Sequence, residues 1–171
     1  LSLAERTRIA NEEKGDIFIS IHANPSVKRS ARGFQVFFLA PAKNDSARAV
    51  AQLENATFLA ELGSQPDSQY DDLSHILSDM IQTEFQAESA DLAAMIERDF
   101  RRKVNSTDSR GIDQAGFYVL NGVYMPSVLV ETAFITNRAD EQLLNSKDFR
   151  EGVALAIYEG LKRFKAKYEN K

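Results

Sequence analysis

The run Asp16-Ile-Phe-Ile-Ser-Ile-His22 decides the fold class. It is almost unbroken in its apolar character and rich in isoleucine, as expected of a strand covered on both faces in a parallel or mixed sheet. Ahead of it, Leu3, Ile9 and Ala10 recur among Glu5, Arg6, Arg8, Glu12 and Glu13, which predicts a helix over 3–14 with Ser2 placed to cap it and Gly15 to stop it. Helix, short turn and buried strand make half of a βαβ unit. The expectation is therefore an α/β domain.

After His22 the chain is turn-rich and basic over 24–32, and a second strand is predicted over 33–39, closed by Pro41. The rhythm then changes. An alanine-rich helix is predicted over 46–62, stopped at Gly63, with a loop over 65–69. From 70 to 102 the positions Leu73, Leu77, Met80, Ile81, Phe85, Leu92, Ile96 and Phe100 hold helical spacing. At 1.5 Å per residue that is a rod of roughly 50 Å, longer than a sheet is wide. Residues 105–113 are polar and turn-prone, Phe117-Tyr-Val-Leu120 and Ser127-Val-Leu-Val-Glu131 read as two short strands, and Phe149, Val153, Ala156, Ile157, Leu161 and Phe164 mark a closing amphipathic helix over 148–167. The organisation expected is one domain over 1–171, a sheet flanked by helices, with a long helical insertion over 44–104.

Composition narrows the function. At 43% hydrophobic and 27% charged residues the 171-residue chain falls among ordinary globular domains, not collagens or disordered tails. No uncharged run reaches the roughly 20 apolar residues of a spanning helix. A net charge of -4 argues against nucleic acid as a partner. With no cysteine, disulfides and thiolate chemistry are excluded, and a metal here can be held only by His, Asp or Glu. The chain opens on Leu1 and not Met, inside a predicted helix, so a natural start upstream is expected.

Two positions have the address of a site. His22 closes an apolar strand, and open α/β sheets bind ligands at the carboxyl ends of their strands. Alone, it reads equally as a packed or capping residue. Glu131 closes Val128-Leu-Val-Glu131, where an unpartnered carboxylate would cost several kcal/mol. It must be paired, metal-bound or held protonated, or else cap the following helix or bond Asn137 or Arg138. Taken together, a His and a Glu at the ends of two buried strands suggest a metal hydrolase, with imidazole on the metal and carboxylate as general base.

These residues lie in longer blocks. Ser20-Ile-His-Ala-Asn24, preceded by Leu-Ala-Glu-Arg-Thr-Arg-Ile-Ala-Asn over 3–11, and Pro126-Ser-Val-Leu-Val-Glu-Thr-Ala-Phe-Ile-Thr-Asn137 followed by Asp140-Glu141, resemble the zinc-dependent N-acetylmuramoyl-L-alanine amidases that cut peptidoglycan. Gln114-Ala-Gly-Phe-Tyr-Val-Leu120 and the helical insertion resemble the cell-separation branch of that family. The resemblance covers nearly the whole chain. It implies a mixed, largely parallel sheet between helices, Zn2+ as cofactor, His22 as a zinc ligand and Glu131 as the catalytic glutamate. The implied reaction is hydrolysis of the amide between N-acetylmuramic acid and the L-alanine of the stem peptide, in the periplasm or cell envelope. Two further family ligands, a His in a Gly-His turn and a Glu on the next helix, have no counterpart here. The first strand and helix are thus expected to be missing, and the fragment alone to be inactive. His75, in Leu-Ser-His-Ile, reads as helix surface.

The insertion adds an expectation of regulation. Glu84 and Glu88 share a helical side with Leu77, Met80, Ile81 and Phe85, a costly place for carboxylates without a cation. In the branch resembled, a helix of this region lies over the zinc cleft until an activator protein withdraws it. Glu84, or else Glu88 or Glu54, is expected to take the open metal position. The apolar side containing Leu73, Ile76, Leu77, Met80 and Ile81 would offer an activator its grip. Two other readings stand beside the hydrolase: a degenerate or truncated amidase fold that only binds peptidoglycan or an activator, and an α/β metallohydrolase for another amide.

Overall fold

A computed structural model describes residues 2–61 and 72–169, leaving aside the side chains at 3, 4, 57–61 and 72–83. The expected loop at 65–69, and the side chains of Leu73, His75, Ile76, Leu77, Met80 and Ile81, fall outside what is described. The elements run α1 (Leu3–Glu12), β1 (Phe18–Asn24), β2 (Phe34–Leu39), α2 (Asp45–Glu61), α3 (Asp72–Lys103), β3 (Ser109–Ala115), a 3-10 turn (Tyr118–Leu120), β4 (Ser127–Phe134), α4 (Arg138–Asn145) and α5 (Lys147–Tyr168). Ser2 caps α1 in a reciprocal pair with Glu5, satisfying two backbone donors that a helix start leaves free.

The sheet order is β1-β4-β2-β3. β1 and β4 are parallel, as are β2 and β3, and the two pairs meet antiparallel between β2 and β4. The fold is thus α/β with a mixed, mostly parallel sheet.

β4 is buried along its whole length, and its alternate residues serve different layers. Val128 and Val130 join Phe34, Val36 and Phe38 under α3 and α5, whose Leu92, Ile96, Phe100, Ala156, Ile157 and Phe164 complete that core. Phe34 stacks on Phe100 with ring centroids 3.8 Å apart. Gly160 lets the two helices meet, since a Cβ there would lie 2.8 Å from Ile96 Cα. Leu129 points the other way, into a smaller core with Phe37, Ala115, Phe117, Val119 and Leu120, closed by Ala47 and Ala51 of α2.

Two expectations need correction. Residues 117–120 are not a strand: Leu120 N donates to Phe117 O in a 3-10 turn, and their apolar character comes from lying buried under the α2 layer. β2 pairs on its outer side with Ser109-Arg-Gly-Ile-Asp-Gln-Ala115, whose first five residues lie in the 105–113 segment expected to be polar turn. The half-buried positions of β3 are Ser109, Gly111 and Asp113 and its exposed ones Arg110 and Ile112, so it carries none of the apolar alternation that marks a strand. α4 was also unforeseen. Asn137 caps it by accepting from Ala139 N and Asp140 N, and the buried carboxylate of Asp140 accepts from Gly33 N and Phe134 N, pinning the start of β2 to the end of β4.

Candidate active site

The layer that holds Leu129 turns polar one step further along β4. Glu131 follows Leu129 on the same face, and Ser20, His22 and Asn24 alternate on β1 beside it. His22 and Glu131 are register partners on neighbouring parallel strands. The register then slips: Asn24 pairs with Phe134, so β4 carries one residue more than β1 in this step, and Thr132 Oγ1 donates to His22 O at 2.9 Å across it. Neither residue stands at a strand tip. Both β1 and β4 continue past them, to Asn24 and Phe134.

α2 supplies the third group. Glu54 Oε2 lies 2.6 Å from His22 Nδ1, while His22 Nε2 lies 2.7 Å from Ser20 Oγ. The imidazole is therefore held at both nitrogens. His22, Glu54 and Glu131 can each offer a ligand atom within 4.8 Å of the others.

Glu131 is fully buried and neither carboxylate oxygen has a hydrogen-bond partner among the described residues. Burial, and secondarily the negative charge of Glu54, pushes its carboxyl up to about 9. A carboxylate kept this way is costly unless it is protonated or faces a cation. One imidazole nitrogen and two carboxylates are donors that suit a divalent metal. With Ser20 fixing the ring from behind through Nε2, Nδ1 is the nitrogen presented to such an ion. The residues fit a metal centre.

Of the residues singled out from sequence, His22, Glu131 and Glu54 come together. Glu84 and Glu88 do not. Both lie on α3, on the opposite side of the sheet; Glu84 is exposed and Glu88 is half-buried, near Tyr168 of α5, whose hydroxyl pKa is raised first by its hydrogen bond to Asp91, then by burial, and least by Glu88. Ser89, beside Glu88, accepts from Ser127 N at the far end of β4 from Glu131. Glu131 neither caps α4 nor bonds Asn137 or Arg138; Asn137 is the cap. Ser20, Asn24 and Gln35 complete the surroundings and were not foreseen as site residues. Period-two spacing from His22 would have found the first two. Gln35 is visible only through its register with Glu131. Asn24 is fully buried with both side-chain amide atoms unpartnered among the described residues.

Comparison with known proteins now bears on this geometry. The family model described as N-acetylmuramoyl-L-alanine amidase matches residues 1–163. The N-acetylmuramoyl-L-alanine amidase AmiA of Escherichia coli (strain K12) is 36% identical over 162 residues, 94% of this chain and 56% of that protein. AmiC of Escherichia coli O6:H1 is 34% identical over 166 residues, 96% of this chain and 39% of that protein. The chain thus spans about half the length of these relatives or less. Among solved structures, an N-acetylmuramoyl-L-alanine amidase from Clostridium difficile 630 superposes with a TM-score of 0.65 at 21% identity, covering 96% of this chain and 65% of that one. The CwlD amidase from Clostridioides difficile, solved in complex with the GerS lipoprotein, gives 0.63 at 22% identity, covering 96% and 61%. These two likenesses speak for the fold.

Proposed function

Because the chain belongs to the N-acetylmuramoyl-L-alanine amidase family, we propose that these residues form the hydrolytic core of an enzyme that cuts peptidoglycan between N-acetylmuramic acid and the L-alanine of the stem peptide. The observation that carries the reading is the buried Glu131, unpartnered at both oxygens and opposite His22.

His22 would hold the metal through Nδ1, its ring kept in place by Ser20. Zinc, when bound, supplies Lewis acidity to the scissile carbonyl and to water. Glu131 is the base. Its carboxyl, held high by burial, is brought into the range of a proton acceptor near neutral pH once a cation faces it, and the same burial lets it return that proton to the leaving amine. Two further ligands, a His and a Glu, would come from sequence outside these residues, as the resemblance implies.

Glu54 has a separate role in this reading. Its carboxylate sits against the ligand nitrogen of His22, so α2 would cover the centre and take its open position until displaced. Segment 44–104 is then a regulatory insertion, and an activator protein that lifts α2 away would switch the enzyme on. Its place would be the periplasm or cell envelope, where peptidoglycan lies; among the described residues no helix is long and apolar enough to cross a membrane.

Muropeptide digestion by the complete protein tests this. The expected products are a glycan with a free lactyl carboxylate and a peptide with a free L-alanine amino group, lost with a chelator and regained with Zn2+. Glu54→Ala is expected to raise basal turnover. Binding to peptidoglycan without cleavage, by protein with both upstream ligands absent, would favour the module that only binds.

A further inference from the structure

Asn55, the residue after Glu54 on α2, also reaches down to the layer that α2 covers. Its Nδ2 donates to Gly116 O at 2.8 Å, and its Oδ1 accepts from Tyr118 N at 2.8 Å. Asparagine is a poor helix former, and at this point, well inside α2, it caps nothing. The contact it makes is of a particular kind. A carbonyl and the N–H two residues further on are what a parallel strand engages with the N–H and C=O of one residue. The carboxamide of Asn55 therefore stands where one residue of an extended peptide would, paired about Phe117.

That backbone pair is held ready. Phe117 is fully buried with its ring 5.0 Å from that of Phe37, its N–H donates to Ala115 O, and its carbonyl accepts from Leu120 N. Gly116 carries no side chain, and among the described residues nothing lies within 4 Å of where a Cβ would stand there, so there is room for a chain alongside. The segment packs with Leu129, on the face of the sheet that Leu129 shares with Glu131. Glu54 and Asn55 are about 3.8 Å apart at Cα, so the pair lies within two or three residues of extended peptide, at roughly 3.3–3.6 Å each, of the imidazole that Glu54 touches.

The geometry points to a peptide-binding slot formed by Gly116 O and Tyr118 N, which takes one residue of the extended stem peptide beyond its alanine and which Asn55 fills while α2 lies over the site. A trans secondary amide turns its N–H and C=O in opposite directions, so the acetamido group of a sugar meets one of the two at a time; an extended residue offers both on one side. The ligand read by the slot is peptide backbone. α2 thus keeps substrate out at two places, with Glu54 against His22 and Asn55 in the slot. The inference rests on the hydrolase reading above, with α2 as its cover, and adds where the peptide lies.

The test uses the complete protein and three synthetic muropeptides. One has an ordinary stem peptide; the others carry an ester in place of the first or the second amide beyond the scissile one, which removes an N–H and keeps the chain trans. In a Glu54→Ala protein, one of the two esters is expected to lose about 3- to 10-fold in kcat/KM, chiefly through KM, the scale of one hydrogen bond, and the other to lose little. Adding Asn55→Ala should lower KM for the all-amide muropeptide by a similar factor and leave KM for the sensitive ester where it was. Without turnover, calorimetry should show the free stem peptide binding about 3- to 10-fold tighter to Glu131→Gln/Asn55→Ala than to Glu131→Gln. Equal use of all three muropeptides overturns the slot, as does an Asn55→Ala effect of the same size on all three, which would make Asn55 only a fastening for α2. Both outcomes leave the amidase reading intact. Should no muropeptide be cut, the amidase reading falls and calorimetry alone decides: a tighter complex with the Asn55→Ala protein upholds the slot, and equal affinities overturn it.

Discussion

Val130 and Glu131 are neighbours on one strand, yet they face different media. Val130 enters an apolar layer of Phe34, Ile96, Phe100 and Phe164, over which α3 and α5 close. Glu131 enters the layer under α2, where an imidazole, a second carboxylate and an unpartnered asparagine collect. The difference teaches how the fold divides its labour. One face supplies the burial that holds the sheet flat against its helices, and the other can then carry groups that destabilise it.

The division can be broken from the dry side first. Phe100→Ala removes the ring stacked on Phe34 and should cost about 3–5 kcal/mol in denaturant unfolding, leaving the His22 surroundings chemically untouched. On the site face the expectation has the opposite sign. Glu131 is protonated in the folded metal-free chain and ionised in the unfolded one between about 4.5 and about 9, so folding takes up a proton there and stability falls as pH rises through that window. Glu131→Gln keeps the neutral shape without the titration. Its stability relative to wild type should therefore grow from acid to mildly basic pH, reaching on the order of 1–3 kcal/mol, as urea midpoints across that range would show. An advantage that shrinks instead would mean the carboxylate has a partner. The smallest effect belongs to a single methyl of the dry face: Ile157→Val should cost about 0.5–1.5 kcal/mol and leave any hydrolysis as it was.

How much of this was legible depends on which face a residue serves. The spacing of α5 follows from burial, and the apolar run of β1 places a strand correctly but not one covered on both faces: β1 is an edge strand, mostly half-buried, with Ile21 60% exposed. β3 was not legible, because its half-buried positions are Ser109, Gly111 and Asp113 while Ile112 is exposed, the reverse of apolar alternation, and residues 117–120 look like a strand because Phe117, Val119 and Leu120 are buried. At the site, His22 and Glu131 were visible as polar residues ending apolar runs. That Glu54, and not Glu84 or Glu88, lies against His22 depends on which side of the sheet each helix crosses, which helical periodicity does not encode.

The central claim is that Glu131 is the base of the polar face. In the complete protein, Glu131→Gln should lower muropeptide cleavage by about 10²- to 10⁴-fold while zinc content and thermal stability hold at wild-type level or better. Cleavage that survives the substitution, or a loss that tracks loss of zinc, would contradict it.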